Sequence, residues 1–141
     1  MNVDMVAEAI HKNGWANRVH YLASPYTNYP HGRANAAIDV ASVAGELMKR
    51  GVVVFAPIVH GHAITEAVAL PLDHAFWMRQ CHAPFLGCAS LIVAKLDGWD
   101  SSKGVTMEIG WAADLDMPTF HLDAPLMRHP RGQERNTDPW G

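Results

Sequence analysis

The apolar run Leu91-Ile92-Val93-Ala94 leads straight into a polar Ser/Gly loop and then into a second apolar segment, Val105 to Leu115. This succession constrains the fold most. Four consecutive apolar residues read as a strand buried on both faces, which is the habit of parallel sheets covered by helices. Val19 to Ala23, Val52 to Phe55 and Pro118 to Leu122 read as further strands. Helical segments alternate with them. Met1 to Asn13 is amphipathic, Arg33 to Arg50 is Ala-rich and stops at Gly51, and Pro71 to about Gly87 is helical with an interruption near Pro84. The alternation predicts an α/β fold: a three-layer α/β/α sandwich on a parallel sheet of four or five strands, flavodoxin- or Rossmann-like in outline. Residues 1–122 form one domain, and 123–141 form a Pro-, Arg- and Asn-rich tail, disordered or laid over a neighbouring subunit.

In such sheets ligands bind beyond the carboxyl ends of the strands. Three loops meet that condition: Ser24–Arg33, Ala56–His62 and Asp97–Gly104. The third carries Ser101, Ser102 and Gly104 at the start of a helix, where backbone N–H groups favour an anion. Glu108 follows about one turn later, on a face shared with Trp111, Ala112 and Leu115, so apolar neighbours would push its pKa upward. Two readings fit. Ser101 or Ser102 caps the helix and Glu108 sits at the edge of a buried stripe, or the loop cradles a phosphate beside a working carboxylate.

The remaining composition narrows the partners. With a formal net charge of -3 and no broad basic surface, nucleic acid is not an expected partner. No apolar run approaches ~20 residues, so no membrane span is expected, and the amphipathic N-terminus is not a signal peptide. Cys81 and Cys88, if helical, lie about two turns or roughly 10 Å apart, too far for a disulfide, which fits a reducing, cytoplasmic setting.

No Walker loop and no Gly-x-Gly-x-x-Gly is present, and no cofactor is expected. His60-Gly61-His62 lacks a third ligand at recognisable spacing, so no metal is expected either; a loop histidine pair lining a polar pocket is the preferred reading. Arg33 stands at a helix start, where the dipole does not favour a cation, and is a candidate for holding an anion or a solvated surface arginine.

Tyr21-Leu22-Ala23-Ser24-Pro25-Tyr26, Arg33, Phe55-Ala56-Pro57-Ile58-Val59-His60-Gly61-His62, Trp77 and Gly98 to Glu108 occur in this order. From about Val19 to Leu122 the chain resembles a small bacterial and phage branch of the nucleoside 2-deoxyribosyltransferase-like superfamily. Its Ser-x-Gly-x-x-x-Glu element, Ser102 to Glu108, is the most specific part of the likeness. It is also similar to the deoxynucleoside 5′-monophosphate N-glycosidases of that superfamily.

The resemblance implies that Glu108 attacks the anomeric carbon of a (deoxy)ribose, with Tyr21 beside it. It implies that Ser102, with Ser24, Pro25 and other groups up to Arg33, holds a 5′-phosphate, and that the pocket includes His60, His62 and Trp77. Where the superfamily often has an aspartate before the third strand, counting back reaches His82, a candidate acid for the leaving base or a packing residue. Asp97 and Asp73 are alternative acids. The implied reaction is cleavage or transfer of the N-glycosidic bond of a nucleoside 5′-monophosphate, in a dimer or higher homo-oligomer. The alternatives are a non-catalytic nucleotide-binding protein and a deoxyribosyltransferase acting on unphosphorylated nucleosides.

Overall fold

The computed structural model describes residues 1–124. The tail beyond Ala124, with its reading as a disordered or subunit-covering segment, lies outside the described residues. Four strands, β1 (Val19–Ala23), β2 (Val53–Phe55), β3 (Ser90–Ala94) and β4 (Thr119–Leu122), form one all-parallel sheet in the order β2-β1-β3-β4. The register places Tyr21 against Phe55 on one side and Leu91 on the other. β3 is buried along its whole length, as a central strand with both faces covered must be.

Helices cover both faces, so the fold is a three-layer α/β/α, Rossmann-like sandwich. Leu22, Ile92, Ala94 and Leu122 point to α1 (Val3–Lys12) and α2 (Arg33–Lys49), meeting Val6, Ile10, Val40, Val43 and Leu47. Tyr21, Ala23, Leu91 and Val93 point the other way, to α4 (His74–Leu86) and α5 (Lys103–Asp114), meeting Phe85, Val105 and Ala112. This strict alternation is the period-two geometry of a strand. Tyr21 is the hub of the second layer: its ring stands edge-on to Phe85 at 4.8 Å and to Phe55 at 5.8 Å.

Local chemistry fixes the ends. Asn2 caps α1 by accepting from the Met5 amide at 2.9 Å, and Asp73 caps α4 by accepting from the Phe76 amide at 3.2 Å. Gly51, at φ 78°, turns the chain out of α2 into β2, a conformation that suits glycine. At the amino end of the sheet His20 is fully buried. Its Nε2–H donates to the Trp15 carbonyl at 3.1 Å, leaving Nδ1 to accept from Ser90 Oγ at 2.6 Å.

Three local expectations are corrected. Ala56–His62 is not a loop; α3 (Pro57–Ala67) begins there, because Pro57 at its first position is pre-set to a helical φ and sacrifices no hydrogen bond. The helix expected from Pro71 starts only at His74, and it continues through Pro84 to Leu86. Pro84 falls in the last turn, where its carbonyl accepts from the Gly87 amide at 3.2 Å and from Cys88 Sγ at 3.4 Å. Leu115 does not share the buried face of Glu108; it is the exposed C-cap of α5, one residue past the helix. Cys81 and Cys88 are free thiols. Among the described residues no helix is long and apolar enough to cross a membrane.

Candidate active site

The chain leaves β1 toward β2 on one side, then crosses to β3 on the other. The loops after β1 and β3 therefore part company at the topological switch point, where open α/β sheets bind ligands. In this chain the two loops are also stapled together. Asn28 donates from its side-chain amide to the Gly98 carbonyl at 2.9 Å and to Ser101 Oγ at 3.3 Å. His31 Nε2 lies 3.1 Å from Asp97 Oδ2. Gly98 adopts φ 88°, and a Cβ there would meet Asn28 Nδ2 at 3.1 Å, so both conformation and space call for glycine.

Beneath this rim, on the α4/α5 side of the sheet, stand Tyr21 and Glu108. Glu108 is 5% exposed. Burial pushes its carboxyl up to about 8, opposed by hydrogen bonding from Tyr21. The Tyr21 hydroxyl is buried with no hydrogen bond of regular geometry. Burial above all, and then its neighbours the Glu108 carboxyl and the Cys81 thiol, push its pKa far up. Cys81 is likewise raised, chiefly by burial. A carboxyl, a phenol and a thiol thus converge from α5, β1 and α4, each holding its proton at neutral pH.

α4 forms the outer wall. A Cβ on Gly61 of α3 would touch the Trp77 ring at 3.1 Å, and one on Gly104 of α5 would lie 3.7 Å from Met78 Cε. Trp77 is fixed by donating from Nε1 to the Pro71 carbonyl at 2.8 Å. At the carboxyl end of β1, Ser24 is buried with an unpartnered Oγ, and Pro25 is buried beside it. Ser102 caps α5, its Oγ accepting from the Val105 amide at 3.3 Å, while the exposed Ser101 donates to the Gly98 carbonyl at 3.3 Å. The cap reading of Ser102 therefore holds, and Gly104 sits in the first turn beyond it.

The other sequence candidates are dispersed. His82 is exposed and stands edge-on to Trp111 at 4.7 Å; the structure does not bring it to Tyr21 and Glu108. Cys81, one residue earlier, takes that place. Asp97 is committed to His31, and Asp73 to its cap. His60 and His62 do not form a pair. His60 is exposed near Phe55, whereas Nδ1 of the half-buried His62 shares a 2.7 Å hydrogen bond with the Tyr26 hydroxyl, and its Nε2 lies 3.6 Å from Glu66. Arg33 is exposed, with its guanidinium 6.0 Å from the Tyr26 ring centroid. Among the described residues no three His, Cys, Asp or Glu side chains group as a metal site. Sequence reading missed Cys81, Met78, Asn28 and His31. For the first two a signal existed, since Trp77, Met78, Cys81 and Phe85 recur at helical spacing.

A family model described as a domain of unknown function, DUF1937, matches residues 18–123. The chain belongs to the DUF1937 family. The DUF1937 match runs from just before β1 to just after β4, so it includes Tyr21, Ser24, Cys81 and Glu108 and leaves α1 outside. No curated protein matches the chain.

Proposed function

We propose that this protein cleaves the N-glycosidic bond of a nucleoside 5′-monophosphate, with Glu108 as nucleophile. The observation that carries this reading is the buried Glu108 carboxyl, set against a buried tyrosine hydroxyl without a regular hydrogen bond, beneath the switch-point loops. The chemistry is that of a retaining glycosidase. The carboxylate attacks the anomeric carbon, the base leaves, and water resolves the glycosyl ester. Tyr21 orients the carboxyl and has bonding capacity left for a sugar hydroxyl.

The phosphate is assigned to the rim. Ser24 Oγ, the first-turn amides of α5 and the positive end of its dipole favour an anion there, with Arg33 near the mouth. The likeness to nucleoside 2-deoxyribosyltransferases and 5′-monophosphate N-glycosidases supports the same reading. A homo-oligomer belongs to it as well. Ala41 and Met48 are exposed on α2, and Gly45 between them leaves open space for close approach of another helix.

Two observations favour a second reading, a nucleotide-binding protein without turnover. His82 does not face Glu108, and Glu108 holds its proton at neutral pH. The test is a panel of nucleosides and 5′-monophosphates, with neutral and cationic bases, scored for free base. Base release that needs the phosphate and disappears in Glu108→Gln supports the enzyme. Nucleotide binding by calorimetry with no base release from any member supports the binder.

A further inference from the structure

The surroundings of Glu108 bear on what leaving group this site can release. From β1 the titratable neighbour is Tyr21, and from α4 it is Cys81. From α5 itself, residues 104, 105, 107, 109, 111 and 112 carry no ionisable side chain. Also on α4, His82 is turned out against Trp111, and Arg79 is exposed. The rest of this layer mixes aromatic and sulfur-bearing side chains, Phe55 and Phe85 against Tyr21 and Met78 by Gly104, with the aliphatic Val93, Val105 and Ala112. Glu108 thus lies 95% buried with a phenol and a thiol for company and no ionised partner among the described residues.

A neutral base departs as an anion unless an acid protonates it. Tyr21 and Cys81 are poor donors at neutral pH, because burial makes both hold their protons. A base that is already cationic needs no proton. It leaves as a neutral heterocycle, and aromatic walls suit its charge. Its arrival also serves the nucleophile. An opposite charge within about 4–6 Å lowers a carboxyl pKa by about 1–3, so a bound cation raises the ratio of ionised to protonated Glu108 by about tenfold to a thousandfold.

We infer that the substrate class is a cationic N-glycoside, a nucleotide whose base is a pyridinium or an N7-alkylated purine. This rests on the glycosidase reading above and narrows it. In the first step the C1′–N bond breaks with its electron pair going to nitrogen, neutralising the ring, while a Glu108 carboxylate oxygen bonds C1′. In the second, water adds its oxygen to C1′, the ester C1′–O bond breaks back to the carboxylate, and the water's spare proton passes to solvent. Each turnover therefore releases one proton, which hydrolysis of a neutral-base nucleotide does not.

The test compares nicotinamide mononucleotide and N7-methylguanosine 5′-monophosphate with AMP, dAMP and GMP. Free base is followed by chromatography and proton release by indicator dye, on wild type and Glu108→Gln. The expected result is base release from the cationic pair faster by about tenfold or more, one proton per base, and loss of both in the variant. Equal or faster release from the neutral-base nucleotides overturns this inference and leaves the glycosidase reading standing. Release from none of them overturns both.

Discussion

The Glu108 carboxyl on α5 and the Tyr21 hydroxyl on β1 meet in the buried layer between sheet and helices, one raised to about 8 and the other left without a regular hydrogen bond. Such a pair costs the fold stability. Sites that hold a carboxyl at a raised pKa in a cleft are frequent among catalytic groups.

Replacing Glu108 by Gln should therefore remove activity while strengthening the fold. In the unfolded chain the carboxyl ionises near 4.5, but in the fold it keeps its proton to about 8. Wild-type stability should fall as pH rises across that window and stay reduced above it. Glu108→Gln is expected to gain up to a few kcal/mol at pH 8, since one pKa unit is about 1.4 kcal/mol. Urea unfolding at pH 5 and pH 8 checks this. A variant no more stable than wild type at pH 8 would contradict the buried-acid description.

The same ionisation sets the rate profile. If Glu108 is the nucleophile proposed above, the free enzyme needs its carboxylate, so kcat/KM should rise with pH toward a plateau above about 8. A profile that falls steadily from pH 6 to 8 would mean that a protonated group, rather than ionised Glu108, limits the reaction.

His82→Ala should leave activity close to wild type, because this side chain is exposed and its contact is Trp111. Cys81→Leu should lower kcat/KM sharply, since the added bulk presses on the Tyr21 hydroxyl that Cys81 now adjoins. Overpacking of that kind costs about 1–3 kcal/mol. Kinetics and thermal melts on both variants separate a local effect from global loss of fold.

Most of the layer architecture was legible in the sequence, and most of the wall around Glu108 was not. Leu91 to Ala94 read as a buried strand, which is the covered central strand β3, and Ser102 to Glu108 announced a capped helix with a carboxylate inside it. What failed was rotation about α4. Counting back from β3 singled out His82, yet of the two residues at helical spacing from the fully buried Phe85 it is Cys81 that turns in toward Tyr21, while His82 lies at the exposed edge of that face against Trp111. Chain distance says nothing of facing, and the helical spacing narrows the choice to Cys81 and His82 without deciding between them. The His60 and His62 reading failed likewise: Pro57 starts a helix, and two residues along a helix send side chains to different sides.

Gly98→Ala should weaken ligand binding more than it weakens the fold. A left-handed backbone costs a non-glycine residue about 1–2 kcal/mol, and the new methyl group presses on Asn28. Asn28→Ala should cost about 0.5–1.5 kcal/mol. Both should raise amide exchange in residues 97–101, as followed by hydrogen exchange with mass spectrometry. Unchanged protection there would show that the staple does not hold the loop.

At the opposite end of the sheet, His20 should set the acid limit. Burial lowers its pKa, so the folded protein keeps the ring neutral while the unfolded chain takes up a proton below about 6.5. Stability contributed by the Trp15–His20–Ser90 arrangement is present above that pH and is lost as pH falls below it. His20→Asn should lower stability at pH 7 yet flatten its decline toward pH 5, as read from urea midpoints.

The staple from Asn28 to Gly98 also joins the timetables of two chain segments 70 residues apart. Neither loop can swing open without breaking bonds to the other, so entry and exit become one concerted event rather than two independent ones. A ligand held by either loop would then slow both, and its departure would free both together. Such a rim works as a single latch, whose release rate can cap the turnover of whatever chemistry proceeds beneath it.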